Sequence, residues 1–160
     1  MTIRDLSLLD GIQLAKEAEQ KAGAFYADAA TKTKNPLGKK LFEQLAEFEG
    51  NHFRALVAME TFLRDKGTFA GYEGKEQPFP KPSEVSGIEE PNKMSALEII
   101  TQAIEIEREA EKKYFTLADQ TNDPTVHSLF LKLAEEEHNH YRILRDVYWN
   151  LNNRGVWEWR

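Results

Sequence analysis

Apolar residues along the chain recur at alternating spacings of three and four, which is the period of one face of an α-helix. Four segments carry this pattern, and we predict helices at about 8–33, 36–66, 95–121 and 124–153. Asn35-Pro36 and Asp123-Pro124 predict the starts of the second and fourth helices, because Asn or Asp caps a first turn and proline suits its first position. Gly67 and Gly155 predict the ends of the same two helices.

Capping boxes predict the starts of the other two helices. Ser95 with Glu98 would open the third helix, and Ser7 with Asp10 is a weaker version that would open the first. Residues 67–94 are rich in proline and glycine and lie between two helices, which predicts a long crossover.

An internal repeat gives the organisation. Residues 12–56 align without gaps onto residues 100–144, with 19 identities in 45 positions at a constant offset of 88. Such self-similarity predicts one helical hairpin used twice. We therefore predict an all-α, ferritin-like four-helix bundle with one long crossover. It is a single domain over residues 1–160: hairpin 1 at about 8–66, the crossover at 67–94, hairpin 2 at about 95–153 and a short tail at 154–160.

Titratable side chains interrupt the apolar stripe of every helix. They are Glu19 on the first helix, Glu49 and His52 on the second, Glu107 on the third, and Glu137 and His140 on the fourth. At about 1.5 Å per residue, the four carboxylates lie within about one helical turn of a common level. Four carboxylates in an apolar core repel one another unless they are protonated or matched by cations.

Two divalent metal ions would bring +4 against this −4. Two Glu residues and two Glu-x-x-His motifs on four helices are the ligand set of di-iron and di-manganese carboxylate bundles. Each Glu-x-x-His alone is more typical of a solvated helix face, and its repetition in register favours the metal site. The alternative is a polar layer that fixes helix register without metal.

Composition narrows the chemistry further. With 27 acidic and 21 basic residues the net charge is −6, which argues against a nucleic-acid surface. The chain has no cysteine, so a metal must be held by histidine and carboxylate. No apolar run is long enough for a membrane span or a signal peptide. We therefore expect a cytoplasmic protein that binds neither nucleic acid nor membrane.

Other polar and aromatic residues have competing interpretations. Tyr26 and Tyr114 lie one heptad after Glu19 and Glu107, so their hydroxyls either reach the ligands or only complete the packing. Trp149, Trp157 and Trp159 could serve electron transfer, but aromatic residues at a chain end more often pack against the bundle or a second subunit. Off the stripes, surface or supporting positions are expected for His127, His138, Glu17, Glu105, Glu47 and Glu135.

These motifs resemble the rubrerythrin and bacterioferritin branch of the ferritin-like di-iron superfamily. The resemblance covers nearly all four helices through Glu19 with Tyr26, Glu107 with Tyr114, and the two Glu-x-x-His motifs. It implies that Glu49 and Glu137 bridge two metals, that Glu19 and Glu107 are terminal carboxylates, and that His52 and His140 each bind one metal. Two iron ions are expected, with manganese as an alternative, since both accept these ligands.

The resemblance also implies a reaction and partners. A rubrerythrin-like protein would reduce hydrogen peroxide or dioxygen with electrons from an external donor, such as a rubredoxin-like protein, because the Cys-rich rubredoxin domain is absent from this sequence. Ala110 stands where a further carboxylate is usual, which makes the ligand set closer to that of bacterioferritin.

Ferroxidase or iron-handling activity and an oxygenase acting on an organic substrate therefore stay open. A storage cage is less expected, because only about seven residues follow the fourth helix. We expect a homodimer, and the crossover is long enough for the two copies to exchange hairpins.

Overall fold

The computed structural model describes residues 3–65, 72, 79 and 89–159. It contains four helices: α1 (Ile3–Lys32), α2 (Pro36–Asp65), α3 (Lys93–Asp119) and α4 (Pro124–Arg154). Helix α1 packs along α2, α3 packs along α4, and the two hairpins meet where α1 contacts α3 and α2 contacts α4. The predicted all-α four-helix bundle is confirmed.

Both predicted Asn/Asp-Pro starts have the expected capping geometry. The side-chain oxygens of Asn35 and Asp123 each accept hydrogen bonds from the backbone N–H groups two and three residues on, at 2.9 and 3.1 Å. Helix α4 ends at Gly155, which adopts φ +70° as a left-handed cap. The predicted stop at Gly67 lies outside the described residues.

Helix α1 begins earlier than predicted. It starts at Ile3, so Ser7 and Asp10 lie inside the helix and the predicted capping box is wrong. Neither glycine nor proline occurs between Ile3 and Ser7, and Leu8 at the predicted start is buried. No helix-breaking residue therefore prevents the helix from extending back to Ile3.

Helix α3 also begins two residues early, at Lys93, which places Ser95 in its first turn and removes the second predicted capping box. The carboxylate of Glu90 anchors this end of the helix. It accepts a hydrogen bond from the Asn92 backbone N–H at 3.0 Å and another from the Trp157 indole at 2.8 Å. A contact with the distant C-terminal tail therefore sets where α3 starts.

The C-terminal tail packs against the bundle, as the more common of the two interpretations of its tryptophans predicts. Trp157 and Trp159 are buried, whereas Trp149 is exposed. The ring of Trp157 meets Phe42 edge-on, with centroids 5.8 Å apart. A Cβ atom at Gly38 would lie 2.8 Å from the Trp157 ring, so glycine at this position lets the tail approach α2.

The apolar core forms two clusters of buried side chains. In every helix, one segment belongs to the first cluster and another to the second, and the buried Glu and His residues of the helices lie between the two segments. A polar layer therefore crosses the bundle between two apolar halves. Among the described residues, no helix is long and apolar enough to cross a membrane.

Candidate metal centre

The buried polar layer contains all six residues predicted as metal ligands. They are Glu19 on α1, Glu49 and His52 on α2, Glu107 on α3, and Glu137 and His140 on α4. Each of the six is at most 3% exposed. Burial of so many ionisable groups is costly unless they compensate one another or bind cations.

These six side chains form two overlapping groups whose ligand atoms lie within 4.8 Å of one another. The first group contains Glu19 and His52, and the second contains Glu107 and His140. Glu49 and Glu137 belong to both groups. Each group therefore takes residues from both hairpins, and Glu49 and Glu137 are the two carboxylates common to both groups.

Both imidazole rings turn the same nitrogen toward the carboxylates. The Nδ1 atom of His52 lies 2.6 Å from Glu137 and 3.5 Å from Glu19. The Nδ1 atom of His140 lies 3.2 Å from Glu49 and 3.4 Å from Glu107. The rings are stacked with centroids 5.9 Å apart. Each Nδ1 can thus share a cation with the carboxylates that surround it.

The donor set fits a pair of divalent cations. Within the described part of the chain, six buried oxygens of the four carboxylates have no hydrogen bond of ordinary geometry: both of Glu49, both of Glu137, and one each of Glu19 and Glu107. Such atoms cost free energy unless a cation or a donor satisfies them. Carboxylate oxygen with imidazole nitrogen suits iron and manganese.

The electrostatics of the layer point the same way. Burial raises the pKa of Glu49 and of Glu137 well above the ordinary carboxyl range, and the neighbouring carboxylates Glu19 and Glu107 raise both further. Burial would lower the pKa of His52, but the charges of Glu19 and Glu137 outweigh it and raise that pKa well above its usual value. Without metal, Glu49, Glu137 and His52 therefore hold protons more tightly than they would in water. Bound cations would replace these protons.

Tyr26 and Tyr114 contact the cluster through hydrogen bonds that cross between the hairpins. The hydroxyl of Tyr26 on α1 donates to Glu107 on α3 at 2.7 Å, and the hydroxyl of Tyr114 on α3 donates to Glu19 on α1. Both tyrosines are buried. They orient the two unshared carboxylates, which is the supporting position considered for them from the sequence.

Glu136 is a site residue that the sequence reasoning missed. It is 3% exposed, and its Oε1 atom lies 2.9 Å from Nε2 of His52 and 2.8 Å from the hydroxyl of Tyr72. A carboxylate behind a ligating imidazole fixes the ring orientation and tautomer. The repeat carried a signal, because Glu136 aligns with the apolar Phe48, and a core position that changes from Phe to Glu calls for a polar partner.

Two aromatic rings of the described residues lie against His140. Its ring stacks on Phe48 with centroids 5.4 Å apart, and Phe79 approaches it edge-on at 5.8 Å. Tyr72 and Phe79 therefore bring two residues of the predicted crossover against the metal cluster. Residues 67–71, 73–78 and 80–88 of that crossover, including Phe69, lie outside the described residues.

The residues expected away from the cluster are placed there. Glu17, Glu47, Glu105 and Glu135 are exposed. His138 is exposed as well and faces Glu111 at 3.2 Å. His127 is half-buried, and its Nδ1 lies 2.9 Å from the Ala118 carbonyl oxygen.

A four-helix bundle with four buried Glu residues and two Glu-x-x-His motifs at one level defines the class of di-metal carboxylate bundles. Within that class, the family model described as Rubrerythrin matches residues 98–156, which comprise most of α3, all of α4 and the start of the tail. The resemblance to rubrerythrin seen in the sequence motifs is thereby confirmed over the second hairpin, to which the match is confined. No curated protein and no solved structure matches the chain.

Proposed function

We propose that this chain is a di-iron oxidoreductase that reduces hydrogen peroxide or dioxygen with electrons from an external donor. The observation that carries the proposal is the pair of overlapping ligand groups that share Glu49 and Glu137. Two iron ions held by these residues would supply the two-electron redox chemistry that reduction of peroxide needs. The rubrerythrin match of the second hairpin supports the same reaction class.

The protein's own residues would fix the geometry of the centre. Glu49 and Glu137 each belong to both groups, so they are the residues that would hold both cations. Tyr26 and Tyr114 restrain the unshared carboxylates from the opposite hairpin, and Glu136 restrains the ring of His52. The apolar clusters above and below the layer keep bulk water from those two sides and strengthen each of these electrostatic contacts.

The given sequence has no cysteine, and cysteine thiolates are the ligands of iron–sulfur clusters and of rubredoxin-type iron. The proposal therefore includes an external donor, such as a rubredoxin-like protein. It also includes a homodimer, which the mass of the native assembly tests directly, because a 24-subunit storage cage would differ from a dimer by a factor of twelve.

The test is metal analysis combined with anaerobic rapid mixing. The chain reconstituted with Fe(II) is expected to bind two ions and to be oxidised quickly by peroxide, with slower oxidation by dioxygen. Faster oxidation by dioxygen would assign the centre to an oxidase or ferroxidase instead. Parallel reconstitution with Mn(II) compares the two metals under the same conditions.

Matched variants tie the result to the cluster. Glu49→Gln removes a shared carboxylate and is expected to abolish binding of the metal pair. Glu47→Gln makes the same change two residues away on the exposed face of α2 and is expected to bind and react as the unmodified chain does. Fewer than one tightly bound metal per unmodified chain would falsify the proposed function.

A further inference from the structure

A cavity opens between α1 and α3 and leads to the metal cluster. Its volume is about 610 Å³, and Glu19 and Glu49 are among its lining residues. This volume falls within the range of about 300–1,000 Å³ that is typical of small-molecule sites. Hydrogen peroxide and dioxygen are far smaller than this cavity, so the space exceeds what the proposed reaction requires.

The cavity lies where the two repeats face each other. Ala22 and Ala110 are equivalent in the repeat, each three residues after a cluster carboxylate, and both line the cavity. Their small side chains leave the space that larger residues would fill. Ala18, Phe25 and Ile106 add further apolar wall.

Apart from the cluster residues Glu19 and Glu49, the charged side chains that line the cavity have a net charge of zero. Lys21 and Lys113 line it together with Glu105 and Glu109. Among the described residues, no ion pair involves any of these four side chains. An occupant with a net charge would gain attraction from one pair of side chains and repulsion from the other. An uncharged occupant meets the apolar wall with no such penalty.

The opposite side of the cluster is filled. Phe48 and Phe79 lie against His140, while Glu136 and Tyr72 lie against His52. The cluster therefore has a packed side toward α2 and α4, and an accessible side toward α1 and α3.

We propose that the cavity between α1 and α3 binds an uncharged, mainly apolar organic molecule directly beside Glu19 and Glu49. The inference rests on the proposed function only in placing metal ions at these carboxylates. It adds a binding site for an organic molecule to a centre otherwise assigned to peroxide or dioxygen.

Binding is tested first on the metal-free chain, with the uncharged fluorophore N-phenyl-1-naphthylamine as the probe. Its fluorescence should rise on saturable binding, and 1-decanol should displace it at lower concentration than either decanoate or decyltrimethylammonium. Preferential displacement by one of the charged competitors would overturn the assignment of an uncharged ligand. Absence of saturable binding would overturn the site itself.

Substitutions that fill the cavity test whether the probe binds there. Ala110→Phe on α3 is expected to weaken probe binding by at least tenfold, and Ala22→Phe on α1 serves as a second variant in case the first does not fold. Ala24→Phe adds the same side chain at an exposed position of α1 and should leave binding unchanged. Unchanged binding in a folded Ala110→Phe or Ala22→Phe variant would contradict the proposal.

A paramagnetic metal tests whether the ligand lies beside the cluster. Decanol bound to the Co(II)-loaded chain should show broadened proton resonances, whereas decanol bound to the Zn(II)-loaded chain should not. Equal line widths would place the ligand elsewhere. A chain that is a dimer with Ala110 intact and a monomer as the Ala110→Phe variant would instead assign the cavity to a second copy of the chain.

The two proposals fail separately. A chain that binds two metals and reacts with peroxide, but does not bind the probe, retains the proposed function and loses this site. A chain that binds the probe without binding metal keeps the cavity as a ligand site and loses the redox function.

Discussion

His52 and His140 occupy equivalent positions of the repeat but have different neighbours. His52 contacts the carboxylate of Glu136 at 2.9 Å, whereas His140 stacks on the ring of Phe48. Positions 48 and 136 are themselves equivalent in the repeat. The two halves of the centre therefore have equivalent cluster residues. They differ in the residue that contacts each imidazole from outside the cluster.

This difference teaches that the cluster and its supports obey separate constraints. The cluster needs the same donor atoms on both sides, since each cation requires carboxylate and imidazole. The supports set how firmly each ring is held and what protonation state it favours. Because Glu136 contacts His52 and the equivalent Phe48 contacts His140, we expect the two sides to bind metal with unequal affinity.

The largest expected effect is a pH dependence of the metal-free chain. The pKa values of Glu49 and Glu137 are raised above the ordinary 4.5, chiefly by burial, and the pKa of His52 is raised above 6.5 by Glu19 and Glu137 despite its burial. Above these ordinary values the folded chain binds more protons than the unfolded chain, so the free energy of unfolding falls as pH rises. Each pKa unit of difference contributes about 1.4 kcal/mol.

Glu19 acts in the opposite direction at low pH. Its burial would raise its pKa, but the contacts with Glu49 and His52 outweigh burial and lower the pKa below 4.5. The stability that Glu19 contributes is therefore lost as pH falls below that value. Urea unfolding in the presence of a chelator should show highest stability in mildly acidic solution, and stability that increases into the alkaline range would contradict this account.

Replacing Glu136 should reduce the difference between the two sides of the centre. Glu136→Leu removes the carboxylate that contacts Nε2 of His52, so we expect a loss of about 10- to 100-fold in the affinity of one of the two metal sites. Titration with Co(II) followed by absorption measures both sites. Glu135→Leu, on the exposed face of α4, is the matched control, and equal affinities in the two variants would show that Glu136 does not position the ring.

The hydrogen bonds of the two tyrosines are a feature in which the two halves of the centre should be alike. Tyr26→Phe and Tyr114→Phe each remove a buried hydrogen bond to an unshared carboxylate. A hydrogen bond to a charged group contributes about 1.5–3 kcal/mol, so both variants should lose a similar amount in urea unfolding of the metal-free chain. A large difference between them would mean that the asymmetry extends beyond the histidine supports.

The smallest expected effect concerns Tyr72. Tyr72→Phe removes the hydroxyl that donates to Glu136 but leaves the contact between Glu136 and His52. Because this hydrogen bond is only partly buried, we expect a loss of about 0.5–1.5 kcal/mol in unfolding free energy. The change in metal affinity should be smaller than in Glu136→Leu. An equal loss of metal affinity in the two variants would show that Tyr72 controls the position of Glu136.

The repeat made the cluster predictable from sequence. Glu49 and His52 lie on a helical stripe and recur as Glu137 and His140, so periodicity and spacing alone place them at one level of the bundle. The Asn35-Pro36 and Asp123-Pro124 starts were predictable for a similar reason, since capping depends on residues two or three positions apart.

Features that depend on contacts distant in sequence were not predictable in this way. The start of α3 is held by Glu90 through Trp157, a contact between residues 67 positions apart. Glu136 was hidden because its partners, His52 and Tyr72, come from other segments of the chain. The cavity between α1 and α3 depends on how closely two helices approach, which the stripe pattern does not specify.

Because each ligand group draws on both hairpins, two separate copies of one hairpin could assemble the same six ligands around a twofold axis. In such an assembly a single gene position would supply both residue 48 and residue 136, and both imidazoles would have the same support. Joining the copies in one polypeptide removes that restriction. Mutation can then change one half of the centre alone, and Phe48 opposite Glu136 is the kind of divergence that duplication followed by fusion permits.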